Sequence, residues 1–116
     1  MLHHMHLKKE PFDKISEGKK TIELRLLDEK RKAIKCGDVI VFEDCEQSKS
    51  ITAKVLRLHV FGSFKELYET LPLEKCGYDM QEIEKASFTD MEAYYPRKEQ
   101  EKYGVLGIEF ELLKKT

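Results

Sequence analysis

The chain has 116 residues, enough for one domain built on one core, and a single domain over 1–116 is expected. Hydrophobic residues make up 41% and charged residues 37%, with only six Gly and three Pro, a balance that excludes a disordered segment, a collagen-like repeat and a membrane span. Lys and Arg total 21 against 22 Asp and Glu, so the formal net charge of -1 excludes a globally basic nucleic-acid coat but leaves room for a local basic patch. Such a patch lies in residues 7–35, which carry ten basic against six acidic side chains, whereas residues 66–101 carry four against ten. Cys36, Cys45 and Cys76 are too widely spaced for a CxxC zinc site and odd in number for a disulfide framework, which fits a reducing, cytoplasmic setting. Met1–His6 lacks the apolar core and cleavage pattern of a secretory signal, and nothing addresses the chain to a membrane.

In chain order, residues 4–8 read as a short strand with Met5 and Leu7 on one face. A short helix follows from Glu10 to Gly18: Pro11 suits its first turn, Phe12 and Ile15 share a face, and Gly18 can take the left-handed stop. From Thr21 to Leu27, Ile22, Leu24 and Leu26 alternate with Glu23 and Arg25, the period of a strand with one buried face, which places Glu23 and Arg25 together on the other. Asp28–Lys32 reads as a charged turn or a single helical turn, and Cys36-Gly37-Asp38 launches the run Val39–Phe42, whose four apolar residues predict a strand covered on both faces. In Ile51–Phe61 the apolar set moves from Ile51, Ala53 and Val55 to Leu56, Leu58 and Val60, the slip a β-bulge produces. Ser63-Phe64-Lys65-Glu66 is a capping box, and Pro72 closes the helix it opens. Thr89-Asp90-Met91-Glu92 repeats the capping signature, Pro96 opens a turn ending near Gly104, and Leu106–Leu112 alternates as the last strand. The resulting fold class is α+β: a small, curled, mostly antiparallel sheet of four or five strands with short covering helices.

The densest group of functional side chains is Gly18-Lys19-Lys20-Thr21-Ile22-Glu23-Leu24-Arg25, followed by Lys30 and Arg31. Cations, a hydroxyl and a carboxylate at this density can bind phosphate, hydrogen-bond a base edge or move a proton. A solvated Glu23–Arg25 pair, worth about 0–1 kcal/mol, is the plain structural alternative. Tyr94, Tyr95 or Tyr103 could stack a base, unless they serve as core anchors. His3, His4 and His6 lack a partner residue, His59 reads as structural and Cys36 as an incidental thiol, and neither a metal nor a cofactor is expected.

Gly18-x-Lys20-Thr21-x-Glu23-x-Arg25, Cys36-Gly37-Asp38-Val39-Ile40-x-Phe42, Ser63-Phe64-x-x-Leu67 and Tyr103–Phe110 together resemble an ASCH domain, of the PUA-like β-barrel superfamily, over roughly residues 5–112. The resemblance implies a small barrel whose GxKxxExR rim binds RNA or a nucleotide. Some family members are amidohydrolases that remove the acetyl group of acetylcytidine with a Lys, a Thr and a Glu, and others are reported as ribonucleases. The catalytic Lys corresponds to Lys20; Glu23 stands where the amidohydrolase Thr would be; the catalytic Glu falls at Glu69 or Glu74. The first expectation is binding of RNA or a modified nucleoside or nucleotide by Lys20, Thr21, Glu23, Arg25, Lys30, Arg31 and Tyr95. A second is an amidohydrolase of acylated pyrimidine nucleosides in which Lys20 and Glu23 are catalytic, with Lys20 activating water as a neutral amine. A third is a regulatory module whose acidic second half docks a protein partner.

Overall fold

The computed structural model describes residues 1–46 and 49–113. Five strands form one curled sheet: β1 (Leu2–Leu7), β2 (Ile22–Leu26), β3 (Val39–Asp44), β4 (Ser50–Phe61) and β5 (Val105–Leu112), in the order β1-β3-β4-β5-β2. All pairings are antiparallel except β1 with β3. The helices are α1 (Lys9–Ser16), α2 (Glu29–Lys32), α3 (Phe64–Thr70), α4 (Met80–Ile83) and α5 (Arg97–Tyr103), with 3-10 turns at Leu73–Cys76 and Phe88–Ala93. The chain adopts the α+β class with the curled, mostly antiparallel sheet expected from the sequence, and the sheet is a half-barrel with β1 and β2 at its edges. Among the described residues, no helix is long and apolar enough to cross a membrane.

The sheet is buried on both faces near β2 and β5, and each face has its own core. On the inner face Met5, Ile40, Phe42, Ala53, Val55, Ile108 and Phe110 pack under Phe12 and Ile15 of α1. On the outer face Ile22, Leu24, Leu26 and Val105 pack under Phe64, Leu67 and Leu71 of α3 and its C-terminal extension. The bulge in β4 lies between Val55 and Arg57, as the hydrophobic slip predicts, and it returns Leu58 to the inner face opposite Ile108. Without it, the long strand would turn its second half inside out.

Several expectations are corrected. β3 alternates, with Ile40 and Phe42 buried but Val39 and Val41 only half-buried, because the helices cover the other end of the sheet. The second cap is set by Ser87, whose Oγ accepts from Thr89 N while Asp90 accepts from Ser87 N, so this turn begins two residues before Thr89. The Ser63 cap forms as read, with Oγ accepting from Glu66 N, although the Glu66 carboxylate reaches Gly62 N and not the N-cap amide. Leu73–Cys76 and α4 carry no helical apolar period and are not visible in the sequence pattern.

Candidate functional site

The open sheet has two edges, β1 and β2, and the polar cluster sits where they approach. Arg25 Nη2 on β2 donates to the His6 carbonyl of β1 at 3.2 Å. Register explains why these side chains are inside. Glu23 stands opposite Ile108 and Arg25 opposite Leu106, and partners in an antiparallel pair share a face. The face read as solvent-exposed is therefore the inner face of the half-barrel, and Glu23 is only 4% exposed. The solvated ion pair is replaced by a buried one because α3 already covers the Ile22, Leu24 and Leu26 side, which leaves the alternate residues facing inward.

Lys20 reaches Glu23 by preceding the strand. Gly18, at φ +80°, ends the α1 turn, Lys20 N donates to the Lys14 carbonyl, and Thr21 N donates to the Lys75 carbonyl. Lys20 thus lies in the turn, outside strand parity, and its Nζ is 2.7 Å from Glu23 Oε1. That oxygen also accepts from Leu24 N at 3.2 Å, while Oε2 accepts from Arg25 Nη2 at 2.8 Å and Nε at 3.2 Å. Burial alone would push the Glu23 carboxyl up, but the charges of Lys20 and Arg25 and their hydrogen bonds more than reverse this and hold it at about 2. For Arg25, burial works against the charged form, and the Glu23 carboxylate more than offsets it, with the Tyr95 hydroxyl as a further partner, so its guanidinium is held above the ordinary value.

Above this cluster opens a cavity of about 460 Å³, within the roughly 300–1,000 Å³ range of small-ligand sites. It is lined by Lys20, Glu23 and Arg25, by His6 and Lys8, and by the tyrosines Tyr68, Tyr78, Tyr94 and Tyr95. Tyr95 stacks on Phe64 with ring centroids 5.9 Å apart, and its carbonyl accepts from Gln100 Nε2 at 2.8 Å, so this ring is both a core anchor and a cavity wall. Tyr94, 63% exposed, stands beside Lys8 at the rim. Lys14 ties the wall to α1 by donating to the Gly77 carbonyl at 2.6 Å and to Glu82 at 3.2 Å.

Of the residues predicted to form the site, Lys20, Glu23, Arg25 and Tyr95 converge here. Thr21, Lys30 and Arg31 do not line the cavity. Lys30 is exposed on α2, and Arg31 Nη1 is 2.7 Å from Asp28. Glu69 and Glu74 are exposed and outside it as well; its other carboxylates are Glu10 and Glu82. Lys19 pairs with Glu17 at 2.9 Å in solvent and does not crowd Lys20. His3 and His4 pair with Asp38 and Glu43, and His59 with Glu109. Sequence reasoning missed His6, Tyr68, Cys76 and Tyr78. Cys76 is a buried thiol pushed up to about 12 by that burial, and so is chemically quiet.

An α+β half-barrel with a charged, tyrosine-walled cavity at its open seam is the class of protein defined by these features. The sequence matches the ASCH domain over residues 5–114, and the chain belongs to that family. It is similar to the hypothetical protein PH0355 (crystal structure, 38% identity, TM-score 0.83, covering 97% of this chain and 100% of that one). It is also similar to PF0455 from Pyrococcus furiosus (solution structure, 36% identity, TM-score 0.75, covering 99% and 100%). An ASCH protein from Zymomonas mobilis shares the fold at 16% identity, with a TM-score of 0.64 over 93% of this chain and 65% of that one. No curated protein matches the sequence.

Proposed function

We propose that the seam cavity binds an unpaired nucleobase, presented as a nucleoside or nucleotide or splayed from a short RNA. One observation carries this reading: a buried carboxylate holds Lys20 and Arg25 together in a nucleoside-sized cavity lined by tyrosines. Both Glu23 oxygens are already engaged by the N–H groups of Lys20, Leu24 and Arg25, so Glu23 positions the two cations and leaves ligand contact to them. Lys20 spends one of its three N–H groups on Glu23 and can donate the others to a carbonyl, ring nitrogen or phosphate. The tyrosine faces suit an unstacked base better than duplex.

Binding fits this arrangement better than amide hydrolysis. A hydrolase would need a general base and a proton donor, whereas Glu23, held at about 2 by Lys20 and Arg25, is a weak base and has no proton to give near neutral pH. Docking of a protein through the acidic second half is also less favoured, since Asp79 and Asp90 cap turns, Glu82 pairs with Lys14 and Glu92 with Arg97.

Titration of tyrosine fluorescence with nucleosides, their monophosphates and short single-stranded RNA tests the reading. Saturable binding is expected, weakened at least tenfold by Lys20→Ala and reduced by salt where a phosphate is present. Absence of binding by every ligand would remove it, and turnover of acetylcytidine, lost in Lys20→Ala, would replace it with the hydrolase.

A further inference from the structure

The cavity that holds Lys20 and Arg25 is also lined by Tyr68 and Tyr78, which form a hydrogen-bond chain with a fixed direction. Tyr78 Oη donates to Asp90 Oδ2 at 3.1 Å, which spends the only hydroxyl proton Tyr78 has. The 2.6 Å contact between Tyr68 and Tyr78 must then be donated by Tyr68. With its own proton committed, the Tyr68 hydroxyl can offer a ligand only a lone pair. The two rings meet edge to face, with centroids 5.9 Å apart, which limits rotation of the chain. Burial pushes the Tyr68 phenol up to about 12 and Tyr78 higher still, so neither ionises near neutral pH.

The cavity therefore presents both kinds of partner. Lys20 and Arg25 only donate, and Tyr68 only accepts. We propose that the Tyr68–Tyr78–Asp90 chain is a specificity device that selects planar heterocycles bearing an exocyclic amino group as well as a ring acceptor. The inference rests on the base-binding reading of the same cavity. A ligand with a carbonyl in place of the amino group sets two acceptors against each other and leaves the Tyr68 lone pair unmatched, a mismatch that sites built for hydrogen bonding reject strongly.

Two ligand pairs isolate the effect: cytidine against uridine, and adenosine against inosine, in which an amino group is exchanged for a carbonyl. Calorimetric titration of the full chain is expected to favour the amino member of at least one pair by about tenfold or more. Tyr68→Phe keeps the ring, and should retain binding while bringing the two members of that pair within about twofold. Tyr78→Phe frees the Tyr68 proton to donate, and should shrink or invert the preference. Binding of both members with equal affinity, or a preference that survives both substitutions, would overturn the inference and leave the base-binding reading standing. Failure of all four nucleosides to bind would overturn both.

Discussion

Two pairs of cations, Lys20 with Arg25 and Lys30 with Arg31, lie on neighbouring stretches of the sequence and meet opposite fates in the fold. The first pair converges on one buried carboxylate, with Glu23 2.7 Å from Lys20 and 2.8 Å from Arg25. The second lies on α2, where Lys30 is exposed and Arg31 turns back to Asp28 three residues earlier. Charge density in the sequence is alike in the two; what differs is the carboxylate each meets, its side chain 5% exposed in Glu23 against 29% in Asp28, and the exposure of Lys30. A pair whose carboxylate keeps contact with water contributes little, whereas a carboxylate enclosed at the seam of a half-barrel between two cations fixes geometry and is costly to remove.

That contrast can be broken at its strongest point first. Glu23→Gln leaves Lys20 and Arg25 without a counter-charge in a buried site, and a loss of about 3–5 kcal/mol in chemical denaturation is expected. A loss below about 1 kcal/mol would place the pair in the same category as Arg31–Asp28.

Acid titration gives a comparable effect. Glu23 is held at about 2 against an ordinary value of 4.5, so its contribution is fully present above about pH 4.5 and is lost as pH falls toward 2. The lowering corresponds to roughly 3 kcal/mol. Subtracting the stability–pH curve of Glu23→Gln from that of the native chain isolates it; parallel curves over this window would contradict the depressed value.

A smaller effect is expected at Gly77, which sits at φ +106° with Lys20 Cδ 3.2 Å from where a Cβ would stand. Gly77→Ala should cost about 1–2 kcal/mol through the left-handed backbone alone. Displacement of the Lys20 stem should in addition weaken nucleoside binding, where an effect confined to stability would show that Gly77 does not shape the site. At the bottom of the scale, Arg31→Ala gives up the pair with half-exposed Asp28 but also removes an Nε buried without a partner, so stability should change by no more than about 1 kcal/mol, read as a small shift in denaturation midpoint.

The strands were largely legible from period-2 patterning. The bulge at Val55–Arg57 and the Ser63 cap could be read because each leaves a local signature, a slip in hydrophobic phase or a hydroxyl three residues before a carboxylate. The Glu23–Arg25 grouping was legible too, but its burial was not. Alternation implies one solvated face, and nothing local reveals that α3 covers the apolar side of β2 while curling of the sheet encloses the polar side. Tyr68 and Tyr78 were missed for a related reason. Tyr68 lies on α3, where its spacing from Phe64, Leu67 and Leu71 reads as core, and Tyr78 lies in Leu73–Tyr95, short turns without apolar period, so neither carries a sign of facing a cavity formed by residues distant in sequence.

The central claim is that burial around Glu23, and not local charge, makes the site. The affinity of one nucleoside, measured side by side for Arg25→Ala and Arg31→Ala, tests it most directly. Arg25→Ala is expected to bind at least tenfold more weakly than the native chain, with Arg31→Ala within about twofold of it. Equal losses in the two variants, or a larger loss for Arg31→Ala, would contradict the account.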